Sequence, residues 1–158
     1  MQLKISLRWS LFIIGINAFF LTLGVPAHAA QGLPVRLSIP KININAIIEQ
    51  VGLTTGGAVD VPKGLKKAAW FNMGPRPGET GSSVIDGHIG LKNGKPAVFN
   101  NLHKLKKGDK IYIQDEKGGI ATFIVNKSKI YDANADVAEV FGSDDNKAHL
   151  NLITCEGT

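Results

Sequence analysis

The sequence is poor in cysteine, since Cys155 is the only cysteine among 158 residues. A lone cysteine cannot form a disulfide within the chain, so a disulfide framework of the kind found in small secreted domains is excluded. The four histidines are scattered and recur at no metal-ligand spacing. Acidic residues form no cluster that would hold calcium, because Asp144 and Asp145 fit a solvated turn. We therefore expect no metal and no cofactor.

Internal repeats, low-complexity tracts and a basic stripe interleaved with aromatic residues are also missing. The formal net charge of +5 is mild, and lysines are densest at 66–67 and 104–107. We expect no nucleic-acid partner, because nucleic-acid-binding domains concentrate their charge on one face or element. A mild positive charge instead suits an anionic surface such as a cell wall or lipid headgroups. With 44% hydrophobic and 20% charged residues, the composition is that of a globular domain.

The N-terminus has the pattern of an export signal. Lys4 and Arg8 precede an apolar run at 11–25, and an Ala-His-Ala cleavage pattern ends at Ala29. The apolar run is shorter than the roughly 20 residues that a membrane span prefers. We therefore interpret residues 1–29 as a cleaved signal peptide, with an uncleaved membrane anchor through the apolar run as the alternative. Either way, the rest of the chain is expected to be exported.

After a linker at 30–35, short apolar runs separated by turn residues predict a mostly β fold. The segment 110–114 alternates polar and apolar residues, which is typical of a half-buried strand. The predicted strands are 36–39, 46–51, 59–61, 82–85, 110–114, 121–125, 127–131 and 149–154. Helical periodicity is weak, with candidate turns only at 99–102 and 135–140. The 18 glycines and 7 prolines suit many short strands, so we expect a single β barrel or sandwich over 36–158.

Two side chains of a catalytic type follow predicted strands. Cys155 ends the apolar run 150–154, and His88 follows an apolar run that stops at Gly87. The thiolate is the nucleophile in cysteine catalysis, and a free thiol has a pKa of about 8.5, so such a cysteine needs a partner. A histidine with a pKa of about 6.5 can protonate a leaving amine. From the residues alone this pair is unspecific, because a lone cysteine also fits a small buried side chain in a strand.

The other histidines of the exported part fit the catalytic role less well. His103 lies among lysines and is expected to be solvated. His149 begins the predicted strand that leads to Cys155, and six residues of extended strand span roughly 20 Å. We therefore expect neither side chain to reach Cys155.

Four segments, in order along the chain, share their pattern with one family. They are Ile-Pro-Lys-Ile at 39–42, a Gly-Glu-Thr-Gly segment that ends in Gly-His at 78–88, Phe-Asn-Asn-Leu at 99–102 followed by Lys-Gly-Asp-Lys-Ile at 107–111, and Leu-Ile-Thr-Cys at 152–155. Together they resemble the sortases, which are extracellular cysteine transpeptidases of the bacterial cell surface. The resemblance covers Ile39 to the last residue. It points to the compact classes D, E and F, and we expect class F.

The resemblance implies an eight-stranded β barrel that cleaves a sorting motif like Leu-Pro-x-Thr-Gly after its threonine. Cys155 would attack the threonine carbonyl and form a thioester. His88 would protonate the departing glycine amine and then deprotonate an incoming amine. Thr154 would contact the substrate beside the scissile carbonyl, and the backbone N–H of Glu156 would donate to the oxyanion.

The resemblance also implies partners and a location. The partners would be surface proteins that carry a sorting signal, together with an amine acceptor from a cell-wall precursor or another protein. The chain would act at the extracellular face of the bacterial cell membrane or as a secreted protein, with membrane anchoring through residues 11–25 as one possibility.

One departure from the family pattern concerns its arginine. Sortases carry an essential arginine on the strand after the cysteine, and none of Arg8, Arg36 and Arg76 occupies the matching position. Because the sequence ends at Thr158, we expect a truncated chain without the final barrel strand, whose loss would leave an apolar edge unpaired. The alternative is a catalytically crippled or non-enzymatic exported β barrel that binds wall polymer or protein. A transpeptidase of the L,D type fits less well, because its Ser-x-Gly-Cys segment does not match 152–155.

Overall fold

Short β-strands dominate the residues that the computed structural model describes, which are 32–132 and 135–154. The strands are β1 (Pro34–Ile39), β2 (Ile44–Val51), β3 (Ala68–Phe71), β4 (Gly81–Gly87), β5 (Leu91–Lys92), β6 (Lys95–Pro96), β7 (Lys110–Asp115), β8 (Ile120–Ile124) and β9 (Ala148–Ile153). Helical structure in these ranges is limited to α1 (Ala138–Phe141) and two 3₁₀ turns, Pro40–Ile42 and Leu102–Lys104. The prediction of a mostly β fold is confirmed.

Seven of these strands form one sheet in the order β8-β7-β1-β2-β3-β4-β9, and β5 pairs with β6 in a separate hairpin. The sheet curls into a nearly closed barrel. Its neighbouring strands are antiparallel except for two parallel pairs, β2 with β3 and β4 with β9. The predicted barrel is therefore confirmed. The eighth strand that the family resemblance implies would follow Cys155, outside the described residues.

Six of the predicted strands correspond to β1, β2, β4, β7, β8 and β9, whereas two predicted strands are wrong. At 59–61, Val59 forms only an isolated bridge with Leu53. The segment 127–131 has no regular structure, and Ile130 is 96% exposed, so its apolar residues have no sheet to pack on. Conversely, β3 was not predicted, because its alanines have a low strand propensity.

The barrel interior is built from the alternating apolar residues of the strands. Along β2, Ile44, Ala46 and Ile48 are buried while Asn45 and Ile47 are exposed. This period of two places one face of the sheet in the core and the other in solvent. The other members of the core cluster are Leu37, Ile39, Ile42, Ala68, Trp70, Ile85, Val98, Phe99, Ile111 and Ile113. Each large buried side chain contributes about 1.5–3 kcal/mol of hydrophobic stabilisation.

Gly87, the last residue of β4, has a steric role at the end of this core. A Cβ atom at position 87 would lie 2.5 Å from Cδ2 of Phe99 and 2.8 Å from Cγ1 of Val98. Phe99 is fully buried, and its backbone N–H donates to the carbonyl of His88 at 2.9 Å. The glycine thus lets the phenyl ring pack against the backbone that presents His88.

Asp115, at the end of β7, fixes the start of the described chain. Its buried carboxylate accepts hydrogen bonds from the backbone N–H groups of Gly32 at 2.9 Å, Lys117 at 2.9 Å and Gly119 at 2.7 Å. One side chain therefore orders the β7–β8 turn and ties it to the segment that enters β1.

Replacing Asp115 by alanine should destabilise the barrel. The substitution removes the acceptor of three backbone N–H groups at a site that is 4% exposed. Each buried N–H donor left without an acceptor costs about 1–3 kcal/mol. Because water can hydrogen-bond to some of these N–H groups in a turn, we expect a total loss of about 2–4 kcal/mol in the free energy of unfolding. Urea denaturation measures it. Asp109→Ala is the matched control, because the Asp109 carboxylate accepts a single exposed bond from the N–H of Lys106. Equal losses would contradict this role of Asp115.

Gly87→Ala should also destabilise the fold, because the added methyl group overlaps Phe99 and Val98. Overpacking of this kind typically costs about 1–3 kcal/mol. Thermal and urea unfolding measure the effect. Gly52→Ala serves as the control, since the nearest atom to its new Cβ would be Oδ1 of Asn72 at 3.8 Å. The steric explanation fails if the two variants lose the same stability.

Candidate active site

The parallel pair β4 and β9 brings two distant segments of the sequence to one edge of the barrel. The two strands run in register, with Ile85 opposite Leu152 and Asp86 opposite Ile153. His88 follows β4 by one residue, and Thr154 follows β9 by one residue. Because parallel strands end at the same edge of a sheet, His88 and Thr154 leave the barrel side by side.

Side chains near the ends of β4 and β9 alternate between the inner and the outer face of the barrel. Ile85 belongs to the core cluster, and Leu152 packs against that cluster, so these two side chains point into the barrel. Asp86 and Ile153 occupy the alternate positions and therefore lie on the outer face. The site at this edge is thus built on the outer surface of the barrel, next to a packed interior.

The half-buried ring of His88 is held by the connection between β2 and β3. Its Nε2 lies 2.8 Å from the carbonyl oxygen of Pro62. A carbonyl can only accept a hydrogen bond, so Nε2 carries the proton in this arrangement. In the neutral ring, Nδ1 is then the nitrogen with a free lone pair, and this is the nitrogen that can exchange a proton with a reacting group.

Asp86 is an acidic residue close to His88 in sequence and is not among the predicted site residues. It lies two residues before His88 and is only 6% exposed. Burial raises the pKa of its carboxyl group, while the backbone N–H of Gly87 and the nearby charge of His88 oppose that rise. The signal in the sequence was an acidic residue inside an otherwise apolar strand, directly before Gly87-His88.

A groove opens next to His88. Its volume is about 330 Å³, and it lies between the β2–β3 connection and the turn that leads from β4 into β5. Its lining residues are Lys63, Leu65, His88, Ile89, Leu91 and Lys92. The arrangement offers an apolar surface with a lysine on each wall, and a histidine at one border that can transfer protons.

The chain between β8 and β9 packs against the outer face of the sheet and is tied to itself. Phe141 of α1 stacks edge-on against Phe71 of β3, with ring centroids 5.9 Å apart. The carboxylate of Glu139 accepts hydrogen bonds from Lys129 at 2.5 Å, Tyr131 at 2.6 Å and Lys127 at 3.3 Å. These donors, Lys129 first, lower the pKa of Glu139 to about 2. Hydrogen bonds and ion pairs to Glu139 therefore stabilise the conformation of this segment.

Among the predicted site residues, His88 and Thr154 lie at the same edge of the barrel. Cys155 and Glu156 lie outside the described residues, so the Cys–His pair stays a prediction. The hydroxyl of Thr154 is buried and has no hydrogen-bond partner in the described part of the chain.

The other two histidines of the exported part lie elsewhere. His103 is exposed in a 3₁₀ turn. His149 pairs with Ser82 at the opposite end of the two strands, where its Nε2 lies 2.7 Å from Oδ1 of Asp145.

Neither a metal-binding cluster nor a membrane-spanning helix occurs among the described residues. Residues 32–132 and 135–154 contain no group of three or more His, Cys, Asp and Glu side chains that could hold a metal ion. None of the helices found in those ranges is long and apolar enough to cross a membrane. The predicted signal peptide or anchor, residues 1–29, lies outside them.

Solved structures of sortases share the fold. Sortase D5 transpeptidase of Clostridium perfringens is 24% identical, with a TM-score of 0.58, over 80% of this chain and 71% of that one. Sortase C-1 of Actinomyces oris is 25% identical, with a TM-score of 0.61, over 78% and 66%. The pilus-related sortase C of Group B Streptococcus is 26% identical, with a TM-score of 0.59, over 83% and 62%.

The chain spans 56–71% of the length of the sortase structures compared with it. The three structures described above are of classes C and D, and class F remains a prediction.

No curated protein sequence matches the chain significantly. The family model of the sortase domain matches residues 37–158, which is most of the sequence. This match, together with the barrel, shows that the chain belongs to the sortase family.

Proposed function

We propose that this chain is a sortase-type cysteine transpeptidase in which Cys155 is the nucleophile and His88 is the acid and base. Its reaction cleaves a sorting motif like Leu-Pro-x-Thr-Gly after the threonine and transfers the acyl group to an amine. The observation that carries the proposal is the parallel register of β4 and β9, which brings His88 and the residue before Cys155 to one edge.

Chain geometry supports the pairing of these two residues. Consecutive Cα atoms are 3.80 Å apart, so Cys155 is attached directly to a residue that leaves the barrel beside His88. Neighbouring strands lie about 4.8 Å apart, a separation that two side chains can bridge. The free lone pair of Nδ1 on neutral His88 then suits the proton transfers.

The reaction has two steps with balanced protons. The thiolate of Cys155 attacks the threonine carbonyl, the scissile C–N bond breaks, and protonated His88 gives its proton to the departing amine. Neutral His88 then takes a proton from the incoming amine, which attacks the thioester and releases the thiolate. General acid–base catalysis of this kind contributes about 10²–10⁴ in rate.

Two further groups have proposed roles around the scissile carbonyl. Thr154 has a buried hydroxyl without a partner in the described residues, and such a group is satisfied when a substrate supplies one. The backbone N–H of Glu156 directly follows the nucleophile and is the proposed oxyanion donor, because such donors often flank a nucleophile.

The proposed partners are surface proteins that carry a sorting signal and an amine acceptor from a cell-wall precursor or another protein. The proposed location is the extracellular face of the bacterial membrane, or the medium after secretion. Support comes from the export pattern of residues 1–29 and from the sortases that share the fold.

A second candidate is an exported barrel that binds sorting peptides without turning them over. Arg36 lies on β1, three strands from β4, where its Nη1 donates to Oδ1 of Asn45 at 2.8 Å. It therefore does not act as the family's arginine at the edge of His88. The two candidates differ in whether a thioester forms on Cys155.

Incubation with a Leu-Pro-Glu-Thr-Gly peptide should add the mass of the acyl fragment to the chain, as measured by intact-protein mass spectrometry. Cys155→Ala should give no adduct, because the thiolate is lost. His88→Gln should slow product formation by at least about 10²-fold, because the acid and base are lost. His103→Gln, which changes an exposed histidine away from the site, should behave like the unmodified chain.

An acyl adduct on Cys155→Ala would refute the nucleophile assignment. Equal rates for His88→Gln and His103→Gln would refute the role of His88. Peptide binding by the unmodified chain without any adduct would favour the second candidate over the transpeptidase.

Asp86→Asn should flatten the pH dependence of stability. The folded state raises the pKa of this buried carboxyl group above its unfolded value of about 3.9, so the protonated form is favoured on folding. Its contribution to stability is complete below that unfolded value and is lost as the pH rises through the higher folded pKa. Asparagine stays neutral, so the variant should gain stability relative to the native chain from pH 4 to pH 7.

Urea unfolding between pH 3 and pH 8 measures this effect. Asp60→Asn, at a more exposed carboxyl group, is the control. The burial argument is wrong if both variants show the same profile.

A further inference from the structure

We infer that the groove beside His88 binds a carboxylate on the acceptor amine, so that the favoured acceptors are amino acids or peptides with a free carboxylate. This inference rests on the proposed function, because it assigns a chemical class to the amine that attacks the thioester. The observations that carry it are the charges on the groove walls, the bracing of those walls and their position next to His88.

The charged side chains that line the groove are all basic. Lys63 lies on one wall and Lys92 on the other, and the lining contains no acidic residue. Four other lysines of the described chain have acidic partners: Lys67 pairs with Glu49, Lys127 and Lys129 with Glu139, and Lys147 with Asp145. Within the described chain, neither groove lysine has an ion pair. The two ammonium groups therefore remain available to an anion.

Glu49 is an acidic residue that contacts Lys63, and its carboxylate is already bound by two other groups. Its carboxylate binds Nζ of Lys67 at 3.0 Å and the backbone N–H of Lys63. The bond from Lys67 makes the largest contribution to the lowered pKa of Glu49. The charge of Lys63 itself makes the smallest contribution to that pKa shift, and its ammonium group forms no ion pair with Glu49 in the described structure, while the backbone of Lys63 is fixed.

One short segment braces both walls of the groove. The backbone N–H of Val98 donates to the carbonyl of Leu65 at 2.9 Å, and that of Ala97 donates to the carbonyl of Gly90 at 2.9 Å. The N–H of Phe99 donates to the carbonyl of His88. Residues 97–99 therefore hold the two walls and the catalytic histidine at fixed spacing, which pre-forms the groove.

The size and lining of the groove match the end of a short peptide. Its volume of about 330 Å³ is at the lower limit of ligand pockets, which run from about 300 to 1,000 Å³. Leu65, Ile89 and Leu91 provide apolar contacts along its length, and Leu91 is 70% exposed. Such a surface can cover the carbon atoms of a bound peptide while the lysines meet its charge.

The position of the groove assigns it to the amine side of the reaction. In the proposed mechanism His88 exchanges protons with the departing and the incoming amine, so both amines must come within hydrogen-bond distance of its ring. An extended residue spans at most about 3.3–3.6 Å, so the carboxylate of an amino acid or dipeptide stays within about 7 Å of its amine. A carboxylate attached to that amine therefore falls within the neighbouring groove.

Titration of the full chain followed by ¹H–¹⁵N NMR tests the inference without requiring turnover. The probes are glycylglycine, which has a carboxylate, and glycylglycinamide, which lacks it. We expect glycylglycine to bind about 3- to 10-fold more tightly, as two solvent-exposed ion pairs allow, with shifts at Leu65, Ile89 and Leu91. Raising the salt to 0.5 M should reduce the preference, because exposed charges are screened.

The double variant Lys63→Gln/Lys92→Gln should lose the preference. Lys104→Gln/Lys107→Gln removes the same net charge from exposed positions outside the groove and should keep it. Equal binding of the two probes would overturn the inference, and so would equal preferences in the two double variants. Acetate is the third probe: binding of acetate as tight as that of glycylglycine would mean an unspecific anion site and would also overturn it.

These outcomes are separable from a failure of the proposed function. If no thioester forms on Cys155 but the carboxylate preference depends on Lys63 and Lys92, the groove is confirmed as a peptide-carboxylate site and the transpeptidase proposal fails. If the thioester forms and the preference is absent, the transpeptidase proposal stands and the acceptor assignment is wrong.

Discussion

The parallel pairing of β4 with β9 is the interaction on which the site depends. The two strands are separated by about sixty residues of sequence, yet they run in register over six residue pairs, from Gly81 with Ala148 to Asp86 with Ile153. Because they are parallel, their ends meet at one edge, and because they are in register, the residues that follow them leave the barrel at the same level. An antiparallel pairing would have put His88 beside the start of β9, where His149 lies.

The packing of the core makes that edge rigid. Phe99 fills the barrel beneath Gly87, and the backbone of residues 97–99 hydrogen-bonds to the carbonyl groups of Leu65, His88 and Gly90. The interior thereby fixes the direction in which the chain leaves β4. Catalytic groups must be held closely to their productive geometry, and a packed sheet end achieves this better than a free loop. The small residue before His88 is thus a packing requirement, although in the sequence it resembles a turn signal.

The sequence predicted the elements whose signal is local. The alternation in β7 and the apolar runs of β4 and β9 were sufficient to predict these strands, and the family motifs predict His88 as a site residue. Other features depend on distant contacts. The strand β3 reads as two alanines before two aromatic residues and becomes a strand because β2 and β4 lie on either side of it. Asp86 is an acid in an apolar run, and only the fold shows that it is buried on the outer face beside His88. The groove joins residues 63–65 to 88–92, which no local pattern connects.

Charged side chains play different roles in the β8–β9 connection of the barrel and in the connections that form the groove. Glu139, between β8 and β9, is paired with two lysines of the same segment and so holds its own connection in shape. The lysines of the groove stand on connections that flank the sheet and face solvent. Loops accept substitutions more readily than the strands they join. Groups at the strand ends are held by the sheet, so they keep their geometry when residues of the connections are substituted. In the proposed function, a barrel built in this way keeps the Cys–His arrangement at its strand ends, while the lysines and apolar residues of the flanking connections select the amine.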